Sequence, residues 1–136
     1  MDVLTIEAVI ENLGKVFSFV NRQLETADCS RKLIRQIDLS VEEIYINIAS
    51  YAYSPGTGNV TICCTLQEAP PQITLVFQDA GKPYNPLTRE DPNVALPAKE
   101  REIGGLGVFL VKKVMDTASY CFQDGKNVLT ITKRLQ

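Results

Sequence analysis

The sequence contains no histidine. That excludes a Ser–His–Asp or Cys–His catalytic arrangement built from this chain alone, and it excludes phosphorylation of the chain on a histidine of its own. The cysteines are Cys29, Cys63, Cys64 and Cys121, and no CxxC pair occurs among them. With imidazole also missing, a zinc site is not expected. Cys63 and Cys64 are adjacent and would point to opposite faces of a strand. Reduced thiols in a cytoplasmic protein are the expectation. There is no apolar run of about eighteen residues, so no membrane span is expected. Met1 leads directly into Asp2 without a basic region and an apolar core, so no signal peptide is expected. Lysine and arginine form no block and the formal net charge is −2, which gives no indication of a nucleic-acid surface. Internal repeats, low-complexity tracts and shifts of composition are also missing.

What is present is an ordinary globular composition. The chain has 136 residues, 45% of them hydrophobic. That suits one domain over residues 1–136, able to bury roughly two-thirds of its unfolded surface. Residues 2–7 have a strand-like start, and residues 8–26 read as a helix with Ala8, Val9, Leu13, Val16, Phe17, Val20 and Leu24 at helical spacing. A second helix, capped by Asp28 or Ser30, carries Ile34, Ile37, Val41, Ile44, Ile48 and Ala52 along one side and breaks at Ser54-Pro55-Gly56. Residues 59–67 and 72–78 read as strands joined by a turn at Ala69-Pro70-Pro71. Residues 80–104 carry Pro83, Pro86, Pro92 and Pro97 and fit neither period, and a loop of this length is commonly a functional lid. A third helix over 106–116 and strands over 118–123 and 127–133, turning at Asp124-Gly125-Lys126, complete the chain. The order suggests an α+β sandwich with helices on one face of a largely antiparallel sheet.

Three short patterns carry chemistry. Glu43 and Asn47 stand one helical turn apart, away from the main apolar stripe and accompanied by Leu39 and Ile46. A helix that is apolar on two sides is covered on both, and the second cover could be a ligand. The amide oxygen of Asn47 is a suitable ligand for Mg²⁺, which is often held by few protein groups together with phosphates. The Glu43 carboxylate could orient or deprotonate a hydroxyl. A solvated glutamate near an asparagine is the plain alternative. Asp79-Ala80-Gly81 follows a strand. Its carboxylate could accept from an exocyclic amino group such as that of adenine, and Gly81 would let backbone approach the ring. An ordinary turn is the alternative here. Gly104-Gly105-Leu106-Gly107 opens an apolar helix and offers backbone N–H groups to an anion. A hinge or close helix packing is the alternative. No Gly-Lys-Ser/Thr follows, so this is not a Walker loop, and the spacing does not make a dinucleotide fingerprint. Each pattern is weak alone, and their order along the chain is the stronger signal.

In that order the residues resemble the GHKL ATPase superfamily, which includes gyrase and the histidine kinases. Glu43-x-x-x-Asn47 looks like its N box, Asp79-x-Gly81 like its first glycine box and Gly105-Leu106-Gly107 like its second. The small size, the absence of a histidine-bearing dimerisation domain and the closing Asn127-Val128-Leu129-Thr130-Ile131-Thr132-Lys133 make the chain most similar to bacterial anti-sigma-factor serine/threonine kinases. The resemblance implies an α+β Bergerat-type ATP-binding sandwich of two layers, with helices on one face of a mainly antiparallel mixed sheet. It implies ATP and Mg²⁺ as cofactors. Asn47 would hold the metal, Glu43 would act as base and Asp79 would bind adenine. Gly81, Gly104, Gly105, Leu106, Gly107 and Thr130 would complete the nucleotide-binding set. Pro83 stands where the first glycine box often has a second glycine. Arg101 is the candidate for an arginine at the terminal phosphate, separated from Gly105 by Glu102-Ile103-Gly104. The implied substrate is a serine or threonine on a STAS-domain anti-anti-sigma protein. A sigma factor and a second copy of the chain are further implied partners, and neither a membrane nor a nucleic acid is bound directly. The alternative is a nucleotide-binding module that sequesters a regulator without turnover.

Overall fold

The computed structural model describes residues 1–88 and 105–136, with residues 105–108 described as helix backbone. Strand β1 (Asp2–Glu7) is followed by a 3-10 turn at Ile10–Asn12 and helix α1 (Leu13–Glu25). Helix α2 (Arg31–Asn47) continues into a π-helical segment, Ile48–Ala52. Strands β2 (Asn59–Glu68) and β3 (Pro71–Asp79) form a hairpin, a 3-10 turn lies at Pro86–Thr88, and α3 (Gly105–Val114) leads to β4 (Thr117–Gln123) and β5 (Lys126–Arg134).

The strands form one sheet in the order β1-β2-β3-β5-β4, and every pairing in it is antiparallel. The mainly antiparallel sheet expected from the sequence is present, and the topology explains why no parallel pair accompanies it. β3 and β4 are joined through α3 and run the same way, but β5 lies between them and pairs with both. No parallel ladder therefore forms among the described strands. The β4–β5 connection is the two-residue turn Asp124-Gly125. Asp124 has φ 54° and Gly125 φ 75°, the left-handed pair that matches the twist of a tight hairpin.

The helices pack on one face of the sheet. Val16, Val20 and Leu24 of α1 and Ile37, Val41, Ile44 and Tyr45 of α2 are buried in one cluster with Val60, Ile62, Ile73, Leu75, Phe77 and Ile131. The strand members share one parity, as a period of two requires. Tyr45 has no exposed surface, and its hydroxyl donates to the carbonyls of Val9 (2.7 Å) and Glu7 (3.2 Å), which ties α2 to the end of β1. The first helix begins later than its apolar spacing suggests, because Val9 is extended (φ −127°, ψ 152°) and Ala8 donates to the carbonyl of Gly58. Ser30, not Asp28, caps α2, its Oγ accepting from the N–H of Leu33 at 3.2 Å. The four cysteines are free thiols. Among the described residues no helix is long and apolar enough to cross a membrane.

Candidate functional site

A cavity of about 910 Å³ opens where α2, the end of β3 and the β4–β5 hairpin meet. That volume lies within the usual range for small-molecule sites, roughly 300–1,000 Å³. From α2 and its continuation come Ile44, Asn47, Ile48, Tyr51 and Ala52. The π-helical turn re-aims the residues after Asn47, a device common at functional sites. Phe77 and Asp79 come from β3, Lys82, Tyr84 and Leu87 from the segment after it, and Tyr120, Asn127 and Leu129 from the hairpin. The walls are largely aliphatic and aromatic, with a few polar groups converging between them.

Asp79 is the centre of those polar groups. It is 6% exposed, although it is a carboxylate. Its Oδ1 accepts from the N–H of Gly81 (2.9 Å) and from Nδ2 of Asn127 (2.9 Å). Among the described residues nothing donates to Oδ2. A carboxylate oxygen kept from water and left without a donor is costly, so a ligand that brings an N–H to it is favoured. Asn127 is itself 7% exposed and pairs with Asp79 in the β3–β5 register. Its second Nδ2 hydrogen goes to the carbonyl of Lys82 (2.8 Å), and its Oδ1 accepts from the N–H of Tyr84 (3.0 Å) and the hydroxyl of Tyr120.

Residues 6–133 match the family model of the histidine kinase-like ATPase domain. The chain belongs to this family. It is 32% identical over 103 residues to the serine/threonine-protein kinase BtrW of Bordetella bronchiseptica, covering 76% of this chain and 72% of that one. It is 27% identical over 105 residues to the serine-protein kinase RsbW of Bacillus cereus, covering 76% of this chain and 65% of that one. The chain thus spans a little under two-thirds of the Bacillus relative. The fold matches a crystal structure of the RsbU and RsbW domains of a Mycobacterium tuberculosis protein with a TM-score of 0.67 at 16% identity, over 99% of this chain and 33% of that one.

In this member of the histidine kinase-like ATPase domain family the residues singled out in the sequence fall into three groups. Asn47 and Asp79 line the same cavity. Glu43 lies one turn before Asn47 and is half-buried, but it does not line the cavity. Its carboxyl is pushed above the ordinary carboxylate range, first by burial and then by the neighbouring Glu42 charge. Gly81 makes its close approach to protein: a Cβ there would meet the carbonyl oxygen of Ala52 and stand 2.6 Å from its carbonyl carbon. Lys82 N–H donates to that same carbonyl at 2.9 Å, so the absent side chain lets the turn after β3 dock on the end of the π-helical segment.

Thr130 is a correction. It alternates with the buried Leu129 and Ile131, so it points to the sheet face opposite the helices and the cavity. Asn127 is the polar residue of β5 that lines the site, beside the apolar Leu129. Its signal in the sequence was a polar side chain in the inward phase of an alternating strand. Arg101, Gly104 and the part of the expected lid from residue 89 on lie outside the described residues. Gly105, Leu106 and Gly107 form the first turn of α3 as backbone. Among the described residues no three acidic or thiol groups gather as a metal site. Asn47, the cavity's uncharged oxygen donor from α2, suits a Mg²⁺ ion that arrives with phosphates rather than one held in a protein cage.

Proposed function

We propose that the chain binds Mg-ATP in this cavity and phosphorylates a serine or threonine on a small STAS-domain partner, as an anti-sigma regulator. The observation that carries the reading is Asp79, a nearly buried carboxylate that lines the cavity, with two donors on one oxygen and none on the other among the described residues. Such an oxygen selects a ligand with an amino group, and adenine has one at its edge. Phe77, Ile48 and Leu129 supply apolar surface for a ring, and Lys82 also lines the cavity. Asn47 would hold the magnesium ion, which supplies charge neutralisation on the phosphates. Glu43 would accept the proton of the attacking hydroxyl. The hydroxyl oxygen then bonds the terminal phosphorus as the bond to the bridging oxygen breaks, and ADP leaves. Positioning and charge are most of what this chemistry requires. The names of the relatives, two protein kinases acting on serine or serine and threonine, support the same reading.

A second reading is a nucleotide-holding module that sequesters a sigma factor without turnover. It is favoured by the position of Glu43, which does not line the cavity. One experiment separates the two. The protein is incubated with γ-labelled ATP and a candidate STAS protein, beside the Glu43→Gln variant. The kinase reading expects label on the partner, lost in the variant with nucleotide binding retained. ATP binding with no label on any partner supports the sequestering module.

A further inference from the structure

We propose that Asn127, held by Tyr120, is a positioning residue that turns Asp79 so that one carboxylate oxygen faces the cavity, and that this arrangement sets the preference for an amino-bearing base. The inference rests on the nucleotide-binding reading of the cavity and specifies how its selectivity is built.

The orientation of the Asn127 amide is fixed by two backbone groups that have no choice of role. The N–H of Tyr84 can only donate, so the atom 3.0 Å from it is the amide oxygen. The carbonyl of Lys82 can only accept, so the atom 2.8 Å from it is the amide nitrogen. The remaining hydrogen of that nitrogen then falls on Asp79 Oδ1 at 2.9 Å. The remaining lone pair of the amide oxygen takes the hydroxyl proton of Tyr120. Every donor and acceptor of Asn127 is used, in a side chain that is 7% exposed. Asp79 Oδ1 therefore has two donors and cannot serve a ligand as well. Oδ2 is left as the acceptor.

The same four bonds join distant parts of the chain. Tyr120 is on β4, Asn127 on β5, Asp79 at the end of β3, and Lys82 and Tyr84 belong to the segment that leads away from it. A ligand that engages Oδ2 acts on a carboxylate already locked to the backbone of residues 82–84. Tyr120 acts through Asn127, and its hydroxyl has no proton left for the base.

The test compares ATP with inosine triphosphate, whose base carries a carbonyl where adenine has its amino group. A carbonyl facing Oδ2 sets acceptor against acceptor. Dissociation constants for both are measured on the unmodified protein, Tyr120→Phe, Asn127→Ala and the double variant. The expected result is a preference for ATP that narrows by about two- to tenfold in Tyr120→Phe, from the loss of one hydrogen bond. It narrows further in Asn127→Ala, and Tyr120→Phe adds nothing on top of Asn127→Ala. Exchange of the Tyr84 amide hydrogen also speeds up in Asn127→Ala. Equal weakening of both nucleotides, or an unchanged ratio, would overturn the inference. If Asn127→Ala does not fold, the ratio in Tyr120→Phe decides alone. A failure of the unmodified protein to prefer ATP counts instead against the reading of Asp79 itself.

Discussion

Gly81→Ala tests how the site is anchored, because the glycine sits where two backbone segments meet. An added Cβ would lie against the carbonyl oxygen of Ala52, 2.6 Å from its carbonyl carbon and 2.8 Å from its Cβ. These are backbone or near-backbone atoms at the end of a helical segment, so no flexible side chain can swing away. The turn must move off Ala52. That movement gives up the hydrogen bond from Lys82 N–H, now 2.9 Å long, and disturbs the one from Gly81 N–H to Asp79 Oδ1. Forced overpacking costs about 1–3 kcal/mol, and one lost hydrogen bond about 0.5–1.5 kcal/mol. Together they give a destabilisation of about 1.5–4.5 kcal/mol. Denaturant unfolding reads it as a lower midpoint at unchanged slope. Nucleotide affinity should fall too, because Asp79 loses one of the donors that set its orientation. A variant within about 0.5 kcal/mol of the unmodified protein, the ordinary range for a bland surface change, would refute the anchoring.

Other expectations follow from the same geometry. Glu43 has its proton affinity raised by burial and by Glu42. As a base it must be ionised, so phosphoryl transfer should rise as pH increases through a midpoint above the ordinary glutamate value. A pH–rate profile for Glu43→Gln should lack that limb and run about 10²–10⁴-fold lower. The stability sign is opposite: a raised carboxyl pKa favours the fold at low pH, and that contribution is lost as pH rises through the folded value. Chemical denaturation across the acid range should therefore show less of that loss in Glu43→Gln. Asn47→Ala should weaken binding of Mg-nucleotide, with a smaller effect on nucleotide in the presence of chelator, measured by calorimetry. Cys64 is buried and its thiol is pushed up to about 11, chiefly by burial, whereas Cys121 is exposed. Alkylation at mildly alkaline pH followed by peptide mapping should label Cys121 first and Cys64 only after unfolding.

The elements were legible because their periods were plain. The stripes of α1 and α2 and the alternation of β3 and β5 each predict a buried face, and Val16, Val20, Ile37, Val41, Ile73, Leu75 and Ile131 occupy it. The beginning of α1 was not, because Ala8 and Val9 suit a helix by pattern but are held extended by contacts with Gly58 and Tyr45. Local spacing carries no information about such partners. Asn47 and Asp79, which line one cavity, were singled out by short patterns that survive in a single sequence. Asn127 was missed because its role depends on β5 lying beside β3 in one register, which puts it opposite Asp79. Thr130 was misplaced for a reason the sequence did contain: it is out of phase with Leu129 and Ile131. Gly81 was read as a contact for a ligand, and its need for a missing Cβ arises from Ala52, an element far back in the chain.

The central claim is that Asp79 presents one free carboxylate oxygen to an adenine amino group. Calorimetric titration of the unmodified protein and of Asp79→Asn with Mg-ATP tests it most directly. The account predicts binding by the unmodified protein and a loss of about 1.5–3 kcal/mol in the variant, roughly 10- to 150-fold in affinity, for a hydrogen bond to a charged acceptor. Absence of nucleotide binding by the unmodified protein, or equal affinity in Asp79→Asn, would contradict it.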